Sequence, residues 1–204
     1  MTAYSYKSIK SPVETIFKEK GSKFLTFAFP VENEFQIKSH LAELQKRYFD
    51  ASHHCYAFSL GPEPSIQKAH DAGEPNHTAG TPILSQIRSF QLTNILIVVV
   101  RYFGGTKLGA SGLIKAYKTS AYEVLSLAEI ITKEVTVFYK VQFAYVAMNL
   151  VMKIIKDQGI DIIKQDFSEN TCNIEIDVKK KVEQEVLGQL KKIDDLNRAS
   201  LKID

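Results

Sequence analysis

The sequence predicts an α+β chain of two domains, residues 1–132 and 133–204. Three observations carry that reading. Stretches of alternating apolar and polar residues are interleaved with stretches of helical spacing. After residue 133 the elements follow the order βαββαβ, the split pattern of ferredoxin-like domains. The longest apolar run, Ile95 to Val100, has the length of a buried strand and is far short of the roughly 18 residues a membrane span needs.

In order, Val13 to Val31 reads as two strands broken by Lys20-Gly21-Ser22, the second ending at Pro30. Glu34 to Phe49 is an amphipathic helix with Phe35, Ile37, Leu41, Leu44 and Tyr48 at helical spacing. Ser52 to Leu60 alternates as a strand, and Gly61-Pro62-Glu63-Pro64 ends it. Ser65 to Thr78 has no periodicity and is expected to be a long loop, the kind that carries function in a compact domain. Thr81-Pro82 has the form of a helix start, with Thr81 as N-cap and Pro82 at the first position, running to about Phe90. Asn94 to Tyr102 is the central strand, Phe103 to Gly112 a glycine-rich turn, and Leu113 to Leu127 a helix. The second domain then gives a strand at Val135–Phe143 and a helix at Tyr145–Gln158, stopped by Gly159. A hairpin of Ile160–Phe167 and Cys172–Val178 follows, turning at Ser168-Glu169-Asn170. A helix at Lys180–Lys192 and a strand at Leu196–Ile203 complete it.

Composition excludes large-scale disorder, with 45% hydrophobic and 24% charged residues. Met1 to Lys10 lacks the apolar core of a signal peptide or anchor. Cys55 and Cys172 are far apart, which is no disulfide framework; buried thiols in a reducing, cytoplasmic compartment are expected. The net charge is only +3, but it lies entirely in the first domain, which has 14 basic and 11 acidic residues against 12 of each in the second. No acid stands between Glu74 and Glu123, an interval holding Arg88, Arg101, Lys107, Lys115 and Lys118. That local excess favours an anionic partner.

The same interval holds the candidate site. Gly104, Gly105, Gly109 and Gly112, with Ser111 among them, lie between a strand and a helix, where backbone N–H groups converge on an anion; Arg101, Lys107 and Lys115 add charge. Neither the P-loop nor the Rossmann spacing is matched. Glycines needed only for a tight turn are the competing reading. Asp71, Glu74 and Thr78 form a polar cluster on the preceding loop, suited to acid–base work or, more ordinarily, to solvation. His53-His54-Cys55 supplies at most half a zinc site, since only His53 and Cys55 share a strand face. No metal and no cofactor is expected, and no base is evident for a Cys55 nucleophile.

These segments together resemble the YigZ/IMPACT family. The resemblance runs through Lys20-Gly21-Ser22-Lys23-Phe24, His53-His54-Cys55-Tyr56-Ala57, Asp71-Ala72-Gly73-Glu74-Pro75 and Thr78-Ala79-Gly80 with Pro82. It continues in Val98-Val99-Val100-Arg101-Tyr102-Phe103-Gly104-Gly105, Lys107-Leu108-Gly109, Gly112-Leu113 and Ala116-Tyr117. Ala72 and Ser111 depart from the family pattern. The resemblance implies a first domain of the fold shared by GHMP kinases and domain IV of elongation factor G. It implies a second domain like domain V of that factor, and eukaryotic relatives that regulate translation. The bacterial members have no agreed activity.

Two functional expectations follow. One is a non-enzymatic, translation-related module that binds RNA, ribosome or another phosphate-bearing partner, with Tyr102, Phe103 and Tyr117 available to stack on bases. The other is an enzyme or sensor for a small phosphorylated ligand held by the Gly104–Gly112 turn. A protein partner on the exposed loop is a third possibility.

Overall fold

The computed structural model describes residues 4–63, 66–168, 170–197 and 202–203. The chain divides into two compact units, Met1–Lys133 and Glu134–Asp204.

The first unit is built on a five-stranded antiparallel sheet. In chain order its strands are β2 (Val13–Glu19), β3 (Ser22–Pro30), β4 (His53–Leu60), β5 (Ile66–His70) and β6 (Ile95–Tyr102). In space the order is β2-β3-β6-β4-β5. Two short strands, β1 (Ser5–Ile9) and β7 (Ile130–Glu134), pair separately. Helix α1 (Glu34–Arg47) covers one face of the large sheet; α2 (Gly80–Ser89) and α3 (Gly109–Leu127) cover the other.

Side chains alternate along a strand, so β6 feeds two cores at once. Ile95, Ile97 and Val99 pack with Phe24, Cys55, Ile83, Ile87, Leu113 and Tyr117. Leu96, Val98 and Val100 pack with Phe27, Ile37, Leu44 and Phe58. That double burial is why β6 is a continuous apolar run. Each fully buried aliphatic chain there contributes roughly 1.5–3 kcal/mol. Helix α1 starts where Asn33 Oδ1 accepts from the Gln36 N–H at 3.0 Å, and Gln36 Oε1 accepts in return from the Glu32 N–H at 2.7 Å.

Several expected elements shift. The stretch from Ser65 to Thr78 is not all loop: β5 occupies Ile66–His70 and pairs with β4. It is an edge strand, mostly exposed, so no apolar alternation marks it. Thr81 is not the cap of α2, which begins at Gly80 and is capped from a distance by Asp71. The glycine-rich turn is shorter than expected, because α3 begins at Gly109. Strands β1 and β7 were not foreseen; both are short and carry few apolar residues.

The second unit contains β8 (Thr136–Ala144), a turn of 3-10 helix at Tyr145–Ala147, α4 (Met148–Asp157), β9 (Asp161–Phe167), β10 (Thr171–Lys179), α5 (Glu183–Asn197) and β11 (Lys202–Ile203). Its antiparallel sheet has the order β11-β8-β10-β9, so β8 and β10 are central, as the split βαβ pattern requires. Cys172, Ile174, Ile176 and Val178 alternate into a core with Val141, Phe143, Val151, Val186 and Leu190. Helix α5 starts three residues later than the spacing indicated and extends to Asn197, across the start of the expected last strand. Only Lys202–Ile203 of that strand is described; residues 198–201 and Glu169 of the hairpin turn lie outside the described residues. Among the described residues no helix is long and apolar enough to cross a membrane.

Candidate functional site

Arg101 is the odd residue that follows Val99 on β6, so alternation sends its side chain toward the α2/α3 core. It is 4% exposed. A buried guanidinium requires a counter-charge, and Glu74, on the loop after β5, supplies it: Arg101 Nη1 donates to Glu74 Oε1 at 2.6 Å. The Tyr117 hydroxyl of α3 donates to the same oxygen at 2.7 Å. Arg101 Nη2 donates to Ser22 Oγ at 3.3 Å, while Nε has no partner. The rings of Phe24 and Phe103 flank the guanidinium, with centroids 5.4 and 5.7 Å from Cζ.

The preceding loop is organised by Asp71. Its carboxylate accepts from the backbone N–H groups of His77 (2.9 Å), Ala79 (3.0 Å) and Gly80 (2.8 Å). Partial burial pushes that carboxyl up, but the three donors outweigh it and hold it below its ordinary range. The Thr78 hydroxyl donates to the Pro75 carbonyl at 2.7 Å. Asp71 and Thr78 are therefore occupied in shaping the loop and the start of α2. They are not the open acid–base or ligand groups expected of them.

His53 stands opposite Arg101 in the β4–β6 register. Its Nδ1 lies 2.9 Å from the Ala72 carbonyl, which can only accept, so Nδ1 carries the hydrogen. Nε2 then lies 3.8 Å from Glu74 Oε1. The Cys55 thiol donates to the Asp71 carbonyl at 2.9 Å and lies 3.3 Å from the Tyr117 hydroxyl. Burial pushes it up to about 12, so it is no thiolate nucleophile. Burial likewise pushes the Tyr117 phenol far up.

Above this cluster lies a pocket of about 370 Å³, lined by His53, Glu74, Arg101, Phe103, Lys107 and Leu113 and by Gly109 and Ala110 at the start of α3. Lys107 is exposed. Gly104 is glycine for a packing reason: a Cβ there would lie 1.9 Å from the Gly21 carbonyl carbon. Gly105, at φ +83°, has open space around it and is required by its left-handed backbone. Ser111 and Gly112 belong to the first turn of α3; Ser111, Lys115 and Lys118 are exposed on its outer side. None of Lys107, Lys115 and Lys118 has an ion-pair partner among the described residues. Arg88 is elsewhere, with Nε and Nη2 on Gln67 Oε1 at 2.9 and 2.7 Å.

The fold thus brings Arg101, Glu74, Lys107 and Gly109 together, with Gly104 and Gly105 in the adjoining loop. Ser111, Lys115 and Lys118 lie on the outer side of α3. Arg101 is not an open anion-binding group, because Glu74 neutralises it. Tyr117 is fully buried and cannot stack on a base. His53 and Ser22 were absent from the expected site, and Phe103, expected only as a stacking surface, lines the pocket beside Arg101. The signal for His53 was strand alternation, which put it on the face of Cys55 and hence of Arg101. No group of three metal-ligating side chains exists among the described residues.

Residues 20–125 match the family model of the Impact N-terminal domain. A Haemophilus influenzae protein described as an IMPACT family member is 35% identical over 159 residues, 76% of this chain and 77% of that protein. The IMPACT family member YvyE of Bacillus subtilis is 38% identical over 123 residues, covering 60% of this chain but only 57% of that relative's length. A crystal structure of a hypothetical protein superposes with TM-score 0.76 at 27% identity, over 99% of this chain and 97% of the other.

Proposed function

Since the chain belongs to the IMPACT family, we propose that it is a non-enzymatic binding protein of the translation machinery, engaging RNA or a ribosomal surface through its first unit. The supporting observation is a division of labour among charges. The buried side chains of Arg101, Glu74 and Tyr117 bond to one another, the buried Cys55 thiol donates to the Asp71 carbonyl, and the Asp71 carboxylate is taken up by backbone N–H groups. Lys107, Lys115 and Lys118 stand exposed and without an ion-pair partner among the described residues, with no acid in sequence from residue 75 to 122. Internally satisfied polar groups build a scaffold, whereas unpaired lysines attract a polyanion. The finer fold relationship, to GHMP kinases and to domains IV and V of elongation factor G, accords with this reading and is part of the proposal. So is a cytoplasmic setting, which suits the free buried thiols Cys55 and Cys172.

The test is binding of the full chain to RNA and to ribosomes at two or more salt concentrations. Lys115→Ala and Lys118→Ala are expected to weaken binding about equally across sequences, and each to lower the salt slope by about 0.7 to 0.9. Binding unchanged in both, and independent of salt, rejects the reading.

A second reading is favoured by one observation. The pocket at the start of α3 places Lys107 and the unbonded amides of Gly109 and Ala110 beside His53. A small phosphorylated ligand there would bind with a shallow salt slope and would depend on Lys107 but not on Lys118.

A further inference from the structure

The β2–β3 hairpin breaks two local rules, both with lysine. Its two-residue turn, Lys20-Gly21, has positive φ at both positions, +45° and +80°. Asn, Asp or Gly are the residues that take the first of these without strain; here it is lysine. Two positions back, Lys18 on β2 pairs directly with Lys23 on β3. Like charges directly opposite one another oppose strand pairing. Lys18, Lys20 and Lys23 are exposed and make no ion pair among the described residues. Glu19 points to the opposite face, Glu14 is about 13 Å along the strand, and Asp50 accepts from the Tyr102 hydroxyl at 2.8 Å.

Aromatic rings border the same lysines. Lys23 pairs with Tyr102 in the β3–β6 register, so Lys18, Lys23 and Tyr102 form one row across three strands. A groove of about 550 Å³ opens there, lined by Lys18, Lys23, Tyr48, Tyr102 and Phe103. Phe103 is 49% exposed. The Arg47 guanidinium lies 5.3 Å from the centre of the Tyr48 ring and adds a fourth cation. The groove lies on the α1 side of the sheet, away from Lys115. The backbone contact of Gly104 with Gly21, and the Ser22 Oγ that accepts from the Gly104 N–H at 3.2 Å, lock the hairpin to the loop that carries Phe103.

We infer that this hairpin groove is a binding site for single-stranded RNA, with Lys18, Lys20 and Lys23 on successive phosphates and Phe103 and Tyr102 as stacking surfaces. The inference rests on the RNA-binding reading above and extends it to a face that reading does not use. Charge sets the class of partner: cations at the expense of local stability require an anion to offset them. Form sets the strandedness: aromatic faces in a nucleotide-sized groove accept unpaired bases, which a duplex does not offer.

The experiment uses the full chain, a labelled single-stranded RNA of mixed sequence and the same sequence as a duplex. Lys20→Asn and the pair Lys18→Gln/Lys23→Gln are compared with Lys115→Ala. Both hairpin variants are expected to melt at or above the parent temperature while binding single-stranded RNA about tenfold more weakly, with the salt slope lower by about 0.7 per lysine removed. Phe103→Leu is expected to weaken binding with the slope unchanged. A parent that binds RNA, with hairpin variants that bind as tightly, overturns the inference and leaves the broader reading standing. Preference for the duplex also overturns it. No binding of either RNA by the parent rejects both.

Discussion

Arg101 Nη1 lies 2.6 Å from Glu74 Oε1, and the two side chains are 5% and 4% exposed. The pair joins the end of the central strand to the loop before α2; the Tyr117 hydroxyl donates to the same Glu74 oxygen and Ser22 Oγ accepts from Arg101 Nη2.

Glu74→Gln leaves a buried guanidinium without its counter-charge. The expected loss is about 3–5 kcal/mol, the cost of breaking a buried pair from one side. Arg101→Met with Glu74→Leu removes both charges and is expected to cost less than Glu74→Gln alone. Urea unfolding of the three variants measures this; a cost below about 1 kcal/mol for Glu74→Gln contradicts the assignment.

Asp71→Ala removes the acceptor of three backbone N–H groups. A loss of about 1–2 kcal/mol is expected at pH 7. The folded carboxyl is held below its ordinary value of 3.8, so its contribution is full above that value and is lost as pH falls through the lower folded value. The stability gap between parent and variant should therefore narrow below pH 3.8, and a gap constant down to pH 2 would argue against the capping role.

Burial raises the Cys55 thiol from 9.0 to about 12, so the folded protein holds this proton more tightly than the unfolded chain. Its contribution is intact below pH 9 and fades between about 9 and 12. Cys55→Ala should lose that share of the alkaline stability decline. Iodoacetamide at pH 8 should leave Cys55 unmodified until the chain unfolds; rapid alkylation of the native protein would show the thiol to be open.

Gly104 and Gly105 separate two reasons for glycine. Gly105→Ala meets no neighbour and pays only for its left-handed backbone, about 1–2 kcal/mol. Gly104→Ala drives a Cβ into the Gly21–Ser22 backbone and should cost at least as much as overpacking a core, about 1–3 kcal/mol. Thermal melts should rank Gly104→Ala as the more damaging; the reverse order would mean the two loops part easily.

Much of this fold was readable in the sequence because long, strongly patterned segments declare their period. Ile95 to Val100 and the alternation through Cys172 to Val178 are of that kind. Strand β5 was not readable, since an exposed edge has no apolar face to display. The site was legible in location and not in roles. Arg101 and Glu74 are 27 residues apart and look like two separate surface charges until the fold makes them one buried pair. Asp71 looked like a chemical group because nothing local shows that Ala79 and Gly80 will turn their N–H groups back upon it. The sequence shows for His53 no metal partners but does show its strand face, which is that of Cys55 and Arg101.

The strand order β2-β3-β6-β4-β5 also dictates a history. The two hairpins, β2–β3 and β4–β5, are local and can form early, but they do not touch as neighbours. They share only β6, which pairs with both and arrives after them as the chain is synthesised. Until Ile95 to Tyr102 emerges, each hairpin offers an open strand edge and an uncovered apolar face. The protein is thus closed like a zip from its middle, and the nascent first 94 residues are its period of greatest exposure to misassociation.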